Sequence, residues 1–321
     1  MKRQYKLINI FTLAVLSFVA LAIYSPASIE SHTGTQPIVQ HQNDLISQNP
    51  TSTPTPEIHG VILGQGLLNA SIFYDFNANG IFDPGEQFLD GWPITINPLD
   101  GATPNVATQL TDASGSVQWS TLDPVFNPYT FTEGTPNELN WFHSTLVSVP
   151  VNVVNGQLQS IDFGNYCTVP SGGHGLGFWS NRNGQSLLTE EDFVELTDCK
   201  LVNFDGSNRD FTSGLAANKA ALKSWLLNAD GVNAAYMLSV QFAIMKLNIL
   251  HGFVDDNAFA LCYGGAITNL CNATNTSLVA DQTTFANDAN RNAQETLKSC
   301  LDGLNNGAPV VPVKPCSRTF P

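Results

Sequence analysis

Charge is what this chain has least of: Lys, Arg, Asp and Glu together make up 12% of its 321 residues. Basic residues are the scarcer kind, 13 against 27 acidic, for a formal net charge of −14. Nucleic-acid binding needs clustered Lys and Arg to displace counterions from phosphates, so that class is excluded. An anionic membrane surface is excluded as a partner for the same reason. Catalytic signatures are missing too. The sequence contains no HExxH, no GxSxG and no P-loop. It has no CxxC, and no His stands at ligand spacing from a Cys, so a zinc site is not expected. No Cys occurs before Cys167, and no Lys or Arg lies between Gly60 and Asn165, where ten Asp and Glu occur. An acidic segment without internal counter-charges suits a bound cation.

Apolar residues are nonetheless 43% of the chain, enough for real cores and for two ordinary domains. Lys2, Arg3 and Lys6 precede an apolar run from Leu7 to about Tyr24, and Ser25 and Ala27 fit positions −3 and −1 of a cleavage site. We expect residues 1–27 to be a signal peptide, the alternative being an uncleaved signal anchor, since the run approaches the length of a span. Either way the rest is exported. Residues 28–59, rich in Ser, Thr, Pro, Gln and Asn, read as a disordered tether, stiffest at "TSTPTP". The chain shows no LPxTG sorting signal, no lipobox Cys and no apolar span after "PVVPVKPCSRTFP". Release into the medium or non-covalent retention is therefore expected once the signal is removed, with no membrane contact.

From about residue 60 to 166 the pattern is β. "WPITIN" alternates, "SVQW" and "YTFTE" are short β-branched and aromatic runs, and Thr145, Val147, Val149, Val151 and Val153 recur with period two. Asn155-Gly156 is a type I′ hairpin signal. Roughly seven short runs between Gly, Pro, Asn and Asp clusters predict a prealbumin- or Ig-like β-sandwich. From 167 to 321 the period becomes helical. Thr189 is the expected N-cap of "EEDFVEL". "NAAYMLSVQFAIMKLNILHG" from Asn233 is apolar almost all round, which predicts a buried central helix. Phe285, Ala289, Ala293, Leu297 and Leu301 mark the expected inner face of the last helix. The fold class expected is multidomain, a β-sandwich followed by a mainly α-helical, disulfide-stabilised domain.

All six cysteines, Cys167, Cys199, Cys262, Cys271, Cys300 and Cys316, lie in the second half, and an exported chain can pair them as three disulfides. Fifteen pairings exist. Cys262–Cys271 and Cys300–Cys316 would close the shortest loops and are expected on that ground.

The stretch "DFNANGIFDPGE" carries the most specific chemistry. Counted from Asp75, Asn77 and Asn79 hold positions 3 and 5, Gly80 position 6, Ile81 position 7, Asp83 position 9 and Glu86 position 12. This is the calcium-loop pattern D-x-[DN]-x-[DN]-G-x5-E throughout. Short oxygen-bearing side chains at alternate positions point inward, a backbone carbonyl at Ile81 adds a ligand, and Glu86 closes the site with two oxygens. Three carboxylates with two amides imply weak binding, roughly 10⁻⁴ to 10⁻³ M, and calcium over magnesium. The alternative is a turn that binds nothing.

Here the residues resemble a known family. "IFYDFNANGIFDPGEQFLDGWPITI", with "YTFTE" and "FGN" (Phe163 to Asn165), is similar to the SdrD B-like (Cna-B-type, prealbumin-like) modules of bacterial surface proteins. The resemblance covers about residues 60–166 and implies a β-sandwich with structural calcium, used as a spacer or stalk. Asn79 replaces the family's usual Asp, which weakens the site. Some relatives form a Lys–Asn or Lys–Asp crosslink assisted by a Glu like Glu133, but with no Lys in this segment that bond cannot form. Relatives usually carry tandem copies, and here there is one. "GHGLGFWSNRNG" (Gly173 to Gly184) with "LSVQFAIMKLNILHGFV" (Leu238 to Val254) resembles a module of secreted bacterial proteins with a G-[YF]-W-x-N signature, which implies a location and no chemistry.

Three weaker candidates remain. Glu191 and Glu195, or Asp255 and Asp256, would be the acids of a secreted hydrolase; a solvated helix face and a helix-end turn are the plainer readings. His174, beside Phe178 and Trp179 and joined by His251, would line a ligand site or serve as a structural histidine. Trp92, Trp119 and Trp141 would form a sugar-stacking platform or simply fill the core. The expected function is a secreted or cell-surface, non-catalytic structural or adhesive protein that meets extracellular matrix, cell wall or carbohydrate. The alternative is a carbohydrate- or protein-binding module.

Overall fold

A computed structural model describes residues 65–98 and 107–321. The expected signal peptide and tether lie outside the described residues. Among the described residues nine strands build the first half: β1 (Gly66–Tyr74), β2 (Gln87–Phe88), β3 (Pro93–Pro98), β4 (Ala107–Leu110), β5 (Ser116–Leu122), β6 (Tyr129–Glu133), β7 (Trp141–His143), β8 (Ser148–Val151) and β9 (Leu158–Cys167). One sheet runs β2-β1-β9-β7, with β5 also paired to β1; the other runs β4-β3-β6-β8. β1 is parallel to β9 over its length, from Leu67 opposite Leu158 to Tyr74 opposite Asn165.

Alternation decides which residues face inward. Leu68, Ala70, Ile72 and Tyr74 of β1 meet Trp92, Ile94 and Ile96 on the other sheet, together with Tyr129, Phe131 and Phe163, all essentially without solvent contact. This is a β-sandwich, as the alternation of "WPITIN", "SVQW" and "YTFTE" predicts. The Asn155-Gly156 turn departs from expectation. β8 and β9 belong to different sheets, so the turn carries the chain across the sandwich rather than closing a hairpin. Of its central residues only Gly156 has positive φ (68°), the pattern of a type II turn and not of type I′.

The second half holds seven helices: α1 (Leu176–Ser180), α2 (Arg182–Leu187), α3 (Glu190–Asp198), α4 (Leu215–Leu227), α5 (Ala234–Leu250), α6 (Ile267–Ala280) and α7 (Arg291–Asn305). Short strand pairs join them: β10 (Val169–Pro170) with β13 (Pro309–Val310), and β11 (Phe259–Ala260) with β12 (Gly265–Ala266). Thr189 caps α3 in a full capping box with Asp192. Asn233 caps α5, which is buried on nearly every side. No helix among the described residues is long and apolar enough to cross a membrane. α7 begins only at Arg291, so Phe285 and Ala289 precede it, and Ala293 faces solvent. Leu297 and Leu301 pack on the core as expected, and Gln294, Cys300, Leu304 and Asn305 complete the inner face.

Strands give way to helices after Cys167, yet the halves are not independent. The described residues form one compact unit. After β13 the C-terminal strap leaves the helices and lies on the sandwich, and Val311, Cys316 and Phe320 join its core cluster. Tyr74 Oη donates to the carbonyl of Pro312 (2.7 Å), and Trp141 Nε1 to that of Ser317 (3.2 Å). Arg318 donates to the Asp90 carbonyl and sits over the rings of Trp92 and Trp141. It brings the sandwich a cation that residues 60–165 do not contain.

The strap overturns the expected cysteine pairing. Disulfides link Cys167 to Cys316 and Cys262 to Cys300, while Cys199 and Cys271 are thiols. Shortest-loop pairing fails because the residues after Cys300 are spent finishing α7, forming β13 and crossing to the sandwich, which carries Cys316 to the end of β9. Cys271 lies on α6, whereas Cys262 sits in the β11–β12 turn against α7.

Candidate functional site

The calcium-pattern loop follows β1 directly, and its own side chains wind it. Asp75, fully buried, accepts from the backbone N–H of Asn79 (3.1 Å) and of Gly80 (2.6 Å). The Asn77 and Asn79 side-chain carbonyls accept from the N–H groups two residues onward, at 3.1 and 2.7 Å. Gly80 needs its positive φ of 76°, and a Cβ there would lie 3.0 Å from the Ser144 carbonyl. Glu86 reaches back, one oxygen accepting from Phe76 N–H (2.9 Å) and the other from Asp83 N–H (3.0 Å).

Electrostatics show what this arrangement costs. Burial, with Asp75 and Asp83 close by, raises the Glu86 carboxyl above its usual range against the pull of its two N–H donors. The amide groups of Asn77 and Asn79 both donate to one Asp83 oxygen, at 2.7 and 2.8 Å, presenting positive dipole ends where negative charge collects. Among the described residues no three His, Cys, Asp or Glu side chains are gathered for a metal. The donor chemistry nonetheless fits calcium, with three carboxylates, two amide carbonyls and the Ile81 carbonyl, all hard oxygens. Holding the ion requires the Asn77 and Asn79 amides to turn their oxygens inward.

The loop lies at a seam. Asp75 N–H donates to the Asn165 carbonyl at the end of β9 (2.8 Å). The Phe76 ring meets Phe259 of β11 edge-on at 6.1 Å. Tyr74, Asp83 and Glu86 line a cavity of about 320 Å³ together with Val313 of the strap. Sandwich, helical half and strap thus converge within a few residues of Asp75. Sequence reasoning found the loop but not the seam, because Phe259 and Val313 reach it only through the tertiary path of the chain.

A second buried polar cluster lies nearby. Glu133 on β6 is reached by Asn165 Nδ2 (2.6 Å) and by His143 Nδ1 (2.9 Å). Desolvation raises Glu133 above the ordinary carboxylate range, and the hydrogen bond to Glu133 raises His143 against its own partial burial. This cluster ties β6, β7 and β9 together with no lysine involved.

The remaining candidates have structural explanations. Trp92, Trp119 and Trp141 are 0, 6 and 7% exposed and belong to the sandwich core, so they offer no platform for a sugar. Trp179 is fully buried, and its Nε1 donates to Asn248 Oδ1 (3.1 Å). That oxygen also accepts from His174 N–H (3.0 Å), while Asn248 Nδ2 donates to the His174 carbonyl (3.0 Å) and to Asn305 Oδ1 (2.9 Å). Asn305 in turn donates to Gln241. The glycines of "GHGLGFW" let the backbones close up: a Cβ on Gly173 would lie 2.4 Å from the Leu304 carbonyl. The His174 ring stacks on Phe178 at 4.1 Å, and His251 Nε2 lies 3.1 Å from Asp192, not beside His174. Glu191, Glu195 and Asp255 are exposed, and Asp256 takes hydrogen bonds from Asn257 and Thr268 at the start of α6.

One feature of the helical half has no counterpart in the sequence reading. Phe204, Arg209, Trp225 and Tyr236, with Asn203 and Asn228, line a groove of about 550 Å³. Arg209 packs over Phe211, makes no ion pair among the described residues, and buries its Nε–H without a partner.

No protein-family model and no curated protein matches the chain. Solved structures resemble 32% of it at low identity. They include the minor pilin GBS52 of Streptococcus agalactiae (16% identity, TM-score 0.25, 44% of that chain) and a variant of BcpA, the major pilin subunit of Bacillus cereus (14%, 0.23, 30%). The shaft pilin SpaA of Lactobacillus rhamnosus GG is similar at 15% identity and a TM-score of 0.21, over 49% of its chain. The chain thus spans less than half the length of each of these pilins.

Proposed function

We propose that this is a secreted or cell-surface, non-catalytic protein with a structural or adhesive role, whose β-sandwich is braced by calcium at the loop from Asp75 to Glu86. The observation that carries the reading is the position of that loop where sandwich, helical half and strap meet. A cation held by Asp75, Asn77, Asn79, Ile81, Asp83 and Glu86 would neutralise the Asp75, Asp83 and Glu86 carboxylates and stiffen all three parts together. The extracellular partner is matrix, cell wall or carbohydrate. Isothermal titration of the purified chain with calcium tests the metal directly. One weak site lost in Glu86→Ala supports the reading, and no heat at millimolar calcium removes it.

The Arg209 groove favours a second reading, a binding module in the helical half. An unpaired guanidinium beside Phe204 and Tyr236 suits a saccharide that bears a carboxylate. Chemical-shift titration with uronate oligosaccharides would move groove resonances in the wild type and not in Arg209→Gln.

A further inference from the structure

Four of the six cysteines are oxidised, and the two left over are neighbours in space. Cys199 is the C-cap of α3, and its Sγ hydrogen-bonds back to the Glu195 carbonyl at 3.3 Å. The next residue, Lys200, donates its backbone N–H to Asn275 Oδ1 at 2.7 Å. Asn275 lies one helical turn beyond Cys271 on α6, on the same face. The end of α3 is therefore docked on the turn of α6 that presents Cys271. Both thiols also lie within electrostatic reach of Lys246 on α5, and Cys271 within reach of Cys199.

We infer that Cys199 and Cys271 form a third disulfide in the mature protein, stapling the end of α3 to α6. Two existing disulfides place the chain in an oxidising compartment, where a neighbouring thiol pair is consumed. The Cys199 thiolate attacks the disulfide of an oxidant, a thiol–disulfide oxidoreductase or a small disulfide, and expels one of its sulfurs as thiolate. The Cys271 thiolate then attacks Cys199 Sγ in the mixed disulfide and releases the second sulfur. Two protons and two electrons pass from the cysteines to the oxidant, which leaves as a dithiol or as two thiols.

Burial sets the timing. It pushes the Cys199 thiol up to about 11 and that of Cys271 to about 12, so neither is an effective nucleophile once packed. The bond forms while α3 and α6 come together, before Cys271 is covered.

The test is a thiol count and peptide map on the full chain recovered from an oxidising secretory host. The protein is denatured without reductant, alkylated and digested. The inference predicts no alkylated cysteine and a peptide pair joining Cys199 to Cys271. Two alkylated cysteines at these positions, or either one joined to another cysteine, would overturn it. A thermal series adds an independent check. Cys199→Ser, Cys271→Ser and the double variant should lose the same melting temperature, since each removes one bond. Separate, additive losses would mean two independent thiols.

Discussion

At the scale of single residues, the account rests on side chains that satisfy one another in buried places. Asn248 serves Trp179, His174 and Asn305 at once. Asn248→Ala leaves several buried polar groups without partners at about 1–3 kcal/mol each, so chemical denaturation should read a loss of about 3 kcal/mol or more. The Glu133–His143 pair makes a signed prediction about pH. His143 is raised from an ordinary 6.5, so its contribution to stability is complete below that pH and disappears as pH rises through the folded value. Glu133, also raised, acts in the same direction. Wild type should therefore lose melting temperature from about pH 6 upward more steeply than His143→Gln. Parallel curves would show that the pair does not titrate in this way.

At the scale of elements, strands and caps were legible because their signals are local. "WPITIN" and "YTFTE" alternate in sequence as they do in the sandwich, and Thr189 caps α3 as its position foretells. What could not be read was long-range. The Asn155-Gly156 turn looks like a hairpin because the strand it leads to, β9, pairs with β1, which lies far away in sequence. The inner face of α7 is legible only in part: Leu297 and Leu301 pack on the core, but a buried Gln294, donating to the Asp281 carbonyl, does not look like a core residue. The strap is a third case, since "VKPCSRTFP" has no periodicity and takes its shape only from the sandwich. Its disulfide makes the strap a mechanical element. Cys316→Ser opens a loop of 149 residues and should cost about 2–5 kcal/mol, lowering Tm by roughly 5–15 °C. An unchanged Tm would mean that the noncovalent contacts of Tyr74, Trp141 and Arg318 hold the strap alone.

At the scale of the whole molecule, sandwich, helices and strap form one body, and the calcium-pattern loop lies where they meet. The loop's composition was fully legible, position by position, whereas its neighbours Phe259 and Val313 could be seen only once the chain was folded. The raised Glu86 carboxyl adds a pH signature. Without metal, its contribution is present below about 4.5 and lost as pH rises through its folded value. Calcium should therefore stabilise the chain more at pH 7 than near pH 4, where protons occupy Glu86 instead. The most direct test is thermal unfolding of wild type and Glu86→Ala, with and without calcium, at neutral pH. The account predicts about 1.4 kcal/mol of stabilisation at ten times Kd in the wild type, spread over one cooperative transition, and none in the variant. Identical curves for both proteins at millimolar calcium would contradict it, leaving the loop a turn and the seam held by the strap alone.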